Sequence, residues 1–183
     1  MLALNHLKSA RMWAAISVTI GLAGSTILSA APKSPSADAL EGRVRHELVM
    51  LPRLTLFDDL SFRVDGGVVT LLGEVTQPIL KSDAGNVVER VEGVTRVDNE
   101  IEVLPLSPID NGIRAREYRA VFSGPLYRYA LGTLPSIHII VKNGNVTLTG
   151  VVADQADREL AYMHANAVPG VFTVTNQLRV ESK

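Results

Sequence analysis

The sequence contains no cysteine, and aromatic residues make up only 5% of it. Without cysteine, disulfides, thiolate catalysis, cysteine-ligated zinc and a lipidated N-terminal cysteine are excluded. The four histidines share no spacing with one another, or with carboxylates, that would supply three metal ligands, so we predict no metal site and no cofactor. No serine occurs in a nucleophile-elbow setting. We therefore expect a protein that is not an enzyme.

The N-terminal segment differs in composition from the rest of the chain. Lys8 and Arg11 precede an uncharged run of 20 residues, 12–31, that ends in small residues. A basic start, an apolar middle and a small-residue end are typical of a secretory signal peptide. The run is also long enough for an uncleaved membrane anchor. We predict residues 1–31 as signal peptide or anchor and residues 32–38 as a linker, with the remainder exported and periplasmic.

Charge is distributed unevenly along the chain. Residues 38–110 contain 14 acidic and 7 basic residues, a net charge of −7, whereas residues 111–183 contain 5 acidic and 8 basic residues, a net charge of +3. Such an uneven distribution of charge gives information about binding partners rather than about the fold. A basic excess of only three in an exported chain argues against nucleic acid as a partner.

An internal repeat follows the N-terminal segment. The segment "VDGGVVTLLGEV", 64–75, returns 77 positions later as "VKNGNVTLTGVV", 141–152. Residues 64–103 align with 141–180 without a gap, and 14 of the 40 positions are identical. The identical residues are Val, Gly, Leu, Thr, Ala and Asn. Because none is an acid, a base or a histidine, the repeated object is a scaffold rather than a reaction centre.

Each repeat has the hydrophobic periodicity of helix, strand, strand, helix and strand. Apolar residues at helical spacing predict the first helix: Leu40, Val44, Leu48 and Leu51. The pairs Gly66-Gly67 and Asn143-Gly144 suit two-residue hairpin turns that require positive φ. A helix that joins two strands of one sheet requires a parallel, right-handed crossover.

The predicted fold class is therefore α+β, with two αββαβ units, each a three-stranded mixed sheet with two helices on one face. The units are predicted at residues 39–104 and 113–183, joined by a linker at 105–112. Each unit is close to the size at which a lone hydrophobic core is marginal. We therefore expect intramolecular packing of the two units.

Several residues carry more specific structural expectations. Gly73 and Gly150 interrupt the inner face of a strand, where a missing side chain would let a helix approach closely. Asn99 and Asn176 lie among inward-facing apolar residues, so we expect their amides to bond nearby backbone. His164 occupies a core-facing helix position, either as a hydrogen-bonded core-edge histidine or as a pH-sensitive group. An extra apolar line on the same helix, which we expect the first unit to cover, comprises Ala156, Leu160, Met163 and Ala167.

The pattern "V-x-x-G-x-V-T-L-x-G-x-V", followed by a helix and "G-V-x-x-V-x-N-x-(I/L)-x-V", resembles the BON domain. Both repeats carry it, in 64–103 and 141–180, each with a helix before it. The resemblance implies an exported tandem protein that is periplasmic or associated with the outer membrane. It also implies binding to phospholipid surfaces and a part in resistance to osmotic or envelope stress.

The tyrosines point to one surface of the second repeat. All four lie in this repeat, and three lie on or just after its first helix among arginines. Tyrosine suits the headgroup depth of a membrane, and the guanidinium group suits phosphate. The predicted lipid-binding residues are Arg116, Arg119, Tyr127, Arg128 and Tyr129. The predicted partner is an anionic phospholipid membrane surface; the alternative, which the same residues suit, is a protein or cell-wall partner in the envelope.

Overall fold

A computed structural model of the protein describes residues 35–132 and 134–181. The predicted signal peptide or anchor at 1–31 lies outside these residues. The first unit consists of α1 (Pro35–Val49), β1 (Asp59–Asp65), β2 (Val68–Val75), α2 (Pro78–Glu89), β3 (Arg96–Asn99) and β4 (Glu102–Val103). The second consists of α3 (Pro108–Val121), a 3₁₀ helix (Gly124–Ala130), β5 (Ile137–Lys142), β6 (Asn145–Val152), α4 (Gln155–Asn166), β7 (Thr173–Asn176) and β8 (Arg179–Val180).

The two units share one mixed topology, which confirms the predicted fold class. In the first, β1 is antiparallel to β2, and β2 is parallel to both β3 and β4. In the second, β5 is antiparallel to β6, and β6 is parallel to both β7 and β8. The helices α1 and α2 pack on the first sheet and on each other, and α3 and α4 do so in the second unit. Each unit has its own hydrophobic core.

The last predicted strand of each unit is interrupted by an asparagine. The Asn99 side chain donates to the carbonyl of Lys81 at 2.8 Å and accepts from the amide of Ile101 at 3.3 Å. Asn176 repeats this arrangement, with its side chain donating to the carbonyl of Arg158 at 2.9 Å. The predicted structural role of both amides is therefore confirmed, and it explains why one predicted strand divides into β3 and β4.

The expectation that Gly73 and Gly150 admit a close helix was wrong. Both have positive φ, +115° and +113°, and a Cβ atom at either position would lie 2.0 Å from a backbone carbonyl oxygen of the neighbouring strand. That oxygen belongs to Asp59 in the first unit and to Ser136 in the second. Glycine is required here because the strand bends against its antiparallel partner.

Two helices begin earlier than the predicted unit boundaries. Helix α1 begins at Pro35, so residues 35–38 of the predicted first linker are helical. Helix α3 begins at Pro108, so residues 108–112 of the predicted second linker are helical. In α3 the side chain of Ser107 accepts a hydrogen bond from the amide of Asp110, which caps the first turn.

The loop before β1 connects the two units. The amide of Ile139 on β5 donates to the carbonyl of Leu56 at 2.8 Å, and Nδ1 of His138 lies 2.6 Å from the carbonyl oxygen of Asp58. A third contact, the ion pair between Lys142 and Glu102, joins β5 to β4. The backbone hydrogen bond means that a segment of the first unit occupies the edge of the β5 strand.

The buried carboxylate of Asp58 fixes the shape of this loop. One oxygen accepts from the amide and hydroxyl of Thr76, at 2.6 and 2.8 Å. The other accepts from the amide and hydroxyl of Thr55, at 2.9 and 2.7 Å. All four donors require an acceptor, so the site suits a carboxylate and does not suit an amide.

We expect Asp58→Asn to lower the free energy of unfolding by about 1–3 kcal/mol, because the new NH₂ group would face two donors. Urea unfolding measures this change. The control is Asp59→Asn, at a neighbouring position for which no side-chain hydrogen bond occurs among the described residues. Equal stability of the two variants would contradict the assigned role of Asp58.

Candidate functional site

The helix α3 is joined to the second sheet by hydrogen bonds of buried polar groups. The Asp110 carboxylate accepts from the amides of Asn143 and Gly144 in the β5–β6 turn, at 3.0 and 2.9 Å. Nη2 of Arg114 donates to the carbonyl of Val141 at 2.7 Å. These contacts fix which side chains of α3 face outward.

A cationic groove lies between α3 and α4. Nε of Arg116 donates to the carbonyl of Pro169 at 3.2 Å, and Nδ1 of His164 lies 3.3 Å from the hydroxyl oxygen of Ser123. Within residues 35–132 and 134–181, no polar contact of the Arg119 side chain is present. The groove has a volume of about 370 Å³, and its lining comprises Arg116, Arg119, Ala120, His164, Ala167, Val168 and Pro169. None of these seven is acidic.

The equivalent groove of the first unit has a different charge. There Arg43 donates to the carbonyl of Glu92 at 2.9 Å, as Arg116 does to Pro169. The first-unit groove, however, contains two carboxylates, those of Glu47 and Glu92, beside Arg43 and Arg90. The shared scaffold therefore offers a neutralised groove in one unit and a cationic groove in the other.

Two of the predicted site residues belong to a second cluster. Arg128 and the Tyr129 hydroxyl both contact the buried carboxylate of Asp157. The Tyr129 hydroxyl also accepts from the amide of Ala153 at 2.8 Å. The guanidinium of Arg128 lies 4.9 Å from the centre of the Tyr129 ring. Both side chains thus help to hold the 3₁₀ helix on the first turn of α4.

The structure therefore divides the predicted site. Arg116 and Arg119 border the groove near the C-terminal end of α4, whereas Arg128 and Tyr129 lie at its N-terminal end. A helix of 12 residues spans about 18 Å. Tyr127 points outward from the 3₁₀ helix, with 58% of its surface exposed. The five predicted residues therefore form two separate pairs, Arg116 with Arg119 and Arg128 with Tyr129, and Tyr127 stands apart.

The apolar line on α4 is exposed, so the expectation that the first unit covers it was wrong. Met163 and Ala167 are exposed and Leu160 is half-buried. The contacts between the units instead involve the loop before β1. The ring of Tyr118 is tilted against that of the buried Phe122, with 5.3 Å between the ring centres, and is an exposed ring on α3. Met163 of α4 lies one helical turn before Ala167, so an exposed apolar side chain lies beside the cationic groove.

Sequence inspection missed the most unusual group of α3, the carboxylate of Glu117. Its surface is 0% exposed, and neither oxygen has a hydrogen-bond partner among the described residues. Burial raises its pKa from the ordinary value of 4.5 to about 8, although Arg116 opposes the shift. Arg116 is the equivalent of Arg43, so the next residue, Glu117, is the equivalent of the core residue Val44. Alignment of the two first helices therefore contained the evidence for its burial.

Other kinds of site are absent from the part of the chain that the structure describes. No three His, Asp or Glu side chains lie close enough together to hold a metal ion. None of the described helices has the length and hydropathy needed to cross a membrane. His164 lies half-buried at the edge of the groove rather than in the core.

Comparison with known proteins agrees with the tandem architecture. The family model of the BON domain matches residues 36–105 and 130–182, and the chain belongs to the BON domain family. Osmotically-inducible protein Y of Escherichia coli is 31% identical over 127 residues, which is 67% of this chain. The chain spans about three fifths, 62%, of the length of that relative. The two family matches leave out residues 106–129, which include α3.

Two solved structures were also matched, both of CdsD, a structural protein of the type III secretion system of Chlamydia trachomatis. Each match covers 78% of this chain, with 98% and 92% of the other chain, at 16% sequence identity and a TM-score of 0.28. At that score the likeness supports no argument about this protein.

Proposed function

We propose that the protein is an exported, periplasmic protein that binds anionic phospholipid membrane surfaces through its second unit, in protection against osmotic or envelope stress. The observation that carries the proposal is the groove between α3 and α4, where Arg116 and Arg119 face outward without a carboxylate in the lining. Anionic headgroups would supply the negative charge that no carboxylate supplies to these guanidinium groups within the groove.

The surroundings of the groove support a membrane as the partner. Met163 is exposed beside it, and an apolar side chain beside basic ones suits the headgroup region. The N-terminal sequence supports export. The name of the relative, osmotically-inducible protein Y, supports an association with osmotic stress.

The divided geometry assigns different weights to the five predicted residues. Arg116 and Arg119 would contact headgroups, and Tyr127 would extend the contact from the exposed 3₁₀ helix. The charge of Arg128 is already balanced by Asp157, so its contribution should be small. Tyr129 would act by holding Tyr127 and the 3₁₀ helix in place.

We expect the double variant Arg116→Glu and Arg119→Glu to lose binding to anionic vesicles. A basic residue near an anionic surface contributes about 1 kcal/mol, so two charge reversals should weaken binding at least about a hundredfold. High salt should remove most of the difference. The measurement is co-sedimentation of the chain from residue 32 with vesicles of phosphatidylglycerol in phosphatidylcholine. Starting at 32 removes the apolar N-terminal run and retains both hydrophobic cores.

The matched control is Arg43→Glu with Arg90→Glu, which makes the same charge change in the equivalent groove of the first unit. This control should sediment like the parent protein. Equal loss in both double variants would indicate a net-charge effect rather than a site. If the parent protein does not sediment with anionic vesicles at all, the membrane proposal is wrong and a protein partner takes its place.

A further inference from the structure

The outer edge of β1 is an unpaired strand edge. In the sheet order β1-β2-β3, only one side of β1 is paired. Among the described residues, no hydrogen bond reaches the backbone of Leu60, Phe62 or Val64 from the other side. Such an edge is a template for another extended segment unless charge, proline or a covering element protects it.

The second unit shows what this edge can accept. Ile139 on β5 is the equivalent of Phe62 on β1, because they pair with the equivalent residues Leu148 and Leu71. The amide of Ile139 points away from β6 and donates to the carbonyl of Leu56. By this equivalence the amide of Phe62 points away from β2, and strand alternation directs Leu60 and Val64 the same way. The β5 edge thus forms a backbone hydrogen bond with the turn that contains Leu56, and the β1 edge forms no such bond among the described residues.

The edge of β1 forms the floor of a groove with a volume of about 570 Å³. One wall is the C-terminal half of α1, including Arg45, Leu48 and Val49, and the other is formed by residues of the second unit, including Leu134 and Arg179. The side chains of Leu60, Phe62 and Val64 pack against the first core. No charged side chain on β1 points inward to guard the edge.

The charge of the groove favours an acidic occupant. Its lining contains the guanidinium groups of Arg45, Arg63 and Arg179 against the carboxylates of Glu41 and Asp59. In the described part of the chain, neither Arg63 nor Arg179 forms an ion pair. Arg45 lies over the Phe62 ring, 5.7 Å from its centre.

We propose that the β1 edge binds an extended segment of another polypeptide by strand addition, with its backbone paired to Phe62 and its acidic side chains next to Arg63 and Arg179. The backbone hydrogen bonds would supply affinity, and the apolar wall of the groove would accept alternate side chains of the segment. This interaction is separate from the membrane site, because it uses the edge of β1 and a groove that shares no lining residue with the groove between α3 and α4.

The test uses the full chain and a fluorescein-labelled peptide of about nine residues, enough to pair with the seven residues of β1. In this probe valine alternates with serine, and two serines are replaced by glutamate. Two further peptides are N-methylated, one at the odd and one at the even positions. Alternate backbone amides of a strand point to opposite edges, so each N-methylated peptide has lost the N–H donors of one of its two edges. The peptide that has lost the donors facing β1 should bind at least about tenfold more weakly, and the other should bind like the parent peptide.

Amide hydrogen exchange locates the binding. In the free protein the amide of Phe62 should exchange faster than that of Ile139, its paired equivalent. Peptide should protect the amides of Phe62 and Val64 and leave that of Ile139 unchanged. Arg63→Glu, an exposed substitution, should weaken binding of the glutamate peptide and favour a matched lysine peptide.

Three results would overturn the proposal. The first is no binding of the probe, and the second is equal affinity of both N-methylated peptides. The third is protection of Phe62 that rises with protein concentration in the absence of peptide, because the occupant would then be a second copy of the chain.

Discussion

Gly150→Ala should lower the free energy of unfolding by at least about 3 kcal/mol, one of the two largest effects that we expect in this protein. The backbone at Gly150 has a φ of +113°, and an added Cβ atom would lie 2.0 Å from the carbonyl oxygen of Ser136. A side chain in this backbone region costs about 1–3 kcal/mol by itself. The overlap adds to this cost because the oxygen belongs to the paired backbone of the neighbouring chain segment and cannot rotate away.

Chemical unfolding monitored by circular dichroism measures the loss. The control is Gly42→Ala, which adds the same methyl group within α1, where no atom lies within 4 Å of the new Cβ. Alanine is a better helix former than glycine, so this variant should be as stable as the parent or more stable by up to about 1 kcal/mol. If Gly150→Ala unfolds at the same denaturant concentration as the parent, the bent strand assigned to residue 150 is wrong.

The topology of each unit was predictable from sequence because it depends on short-range periodicity and on a repeat that can be aligned. The apolar stripe of α1 and the hairpin pairs at 66–67 and 143–144 were placed correctly by these rules. The role of Gly73 and Gly150 was not. Their equivalence was visible, but the cause lies in the register of an antiparallel pair, and a single strand sequence does not contain that register.

The division of the candidate site had a similar cause. Arg128 and Asp157 are 29 positions apart, and nothing in the sequence indicates that one neutralises the other. The spacing of Arg116 and Arg119 on one helix face was readable, since residues three apart on a helix are neighbours. Local spacing thus identified the two arginines that lie together in the structure. The position of the other predicted residues depends on contacts between residues far apart in sequence.

The alignment of the two units makes their differences informative. At equivalent positions the scaffold is constant, so a changed residue reports a difference in environment or use. The first-unit groove has Glu47 and Glu92 where the second-unit groove has no acid. The outer edge of β5 forms a backbone hydrogen bond with Leu56, whereas the outer edge of β1 forms none among the described residues. Each unit therefore presents a surface that the other unit lacks, which is why we propose the membrane contact for the second unit and strand addition for the first.

The stability of the protein should fall as the pH rises from about 5 to about 8, because of Glu117. This carboxyl group has a pKa of about 8 in the folded chain and an ordinary value of 4.5 when exposed. Between these values the folded state holds a proton that the unfolded state has released, so raising the pH favours unfolding. The stabilisation is fully present below about 4.5 and is lost as the pH passes through about 8, and each pKa unit corresponds to about 1.4 kcal/mol.

Glu117→Leu should remove this dependence, because leucine fills a similar volume and the first unit has Val44 at the equivalent core position. The expected gain in the free energy of unfolding is several kcal/mol at pH 8 and much smaller at pH 5, since an unpartnered buried carboxyl group costs far more when it is ionised than when it is neutral. Urea unfolding at both pH values measures the difference between parent and variant, which cancels the titration of all other groups.

Glu117→Gln is the control: it should abolish the pH dependence but remain less stable than the leucine variant, because its amide stays unsatisfied in the core. If the free energies of unfolding of the parent and Glu117→Leu change in parallel between pH 5 and pH 8, the Glu117 carboxyl group is exposed to water in the folded protein. The burial assigned to it in α3 would then be incorrect.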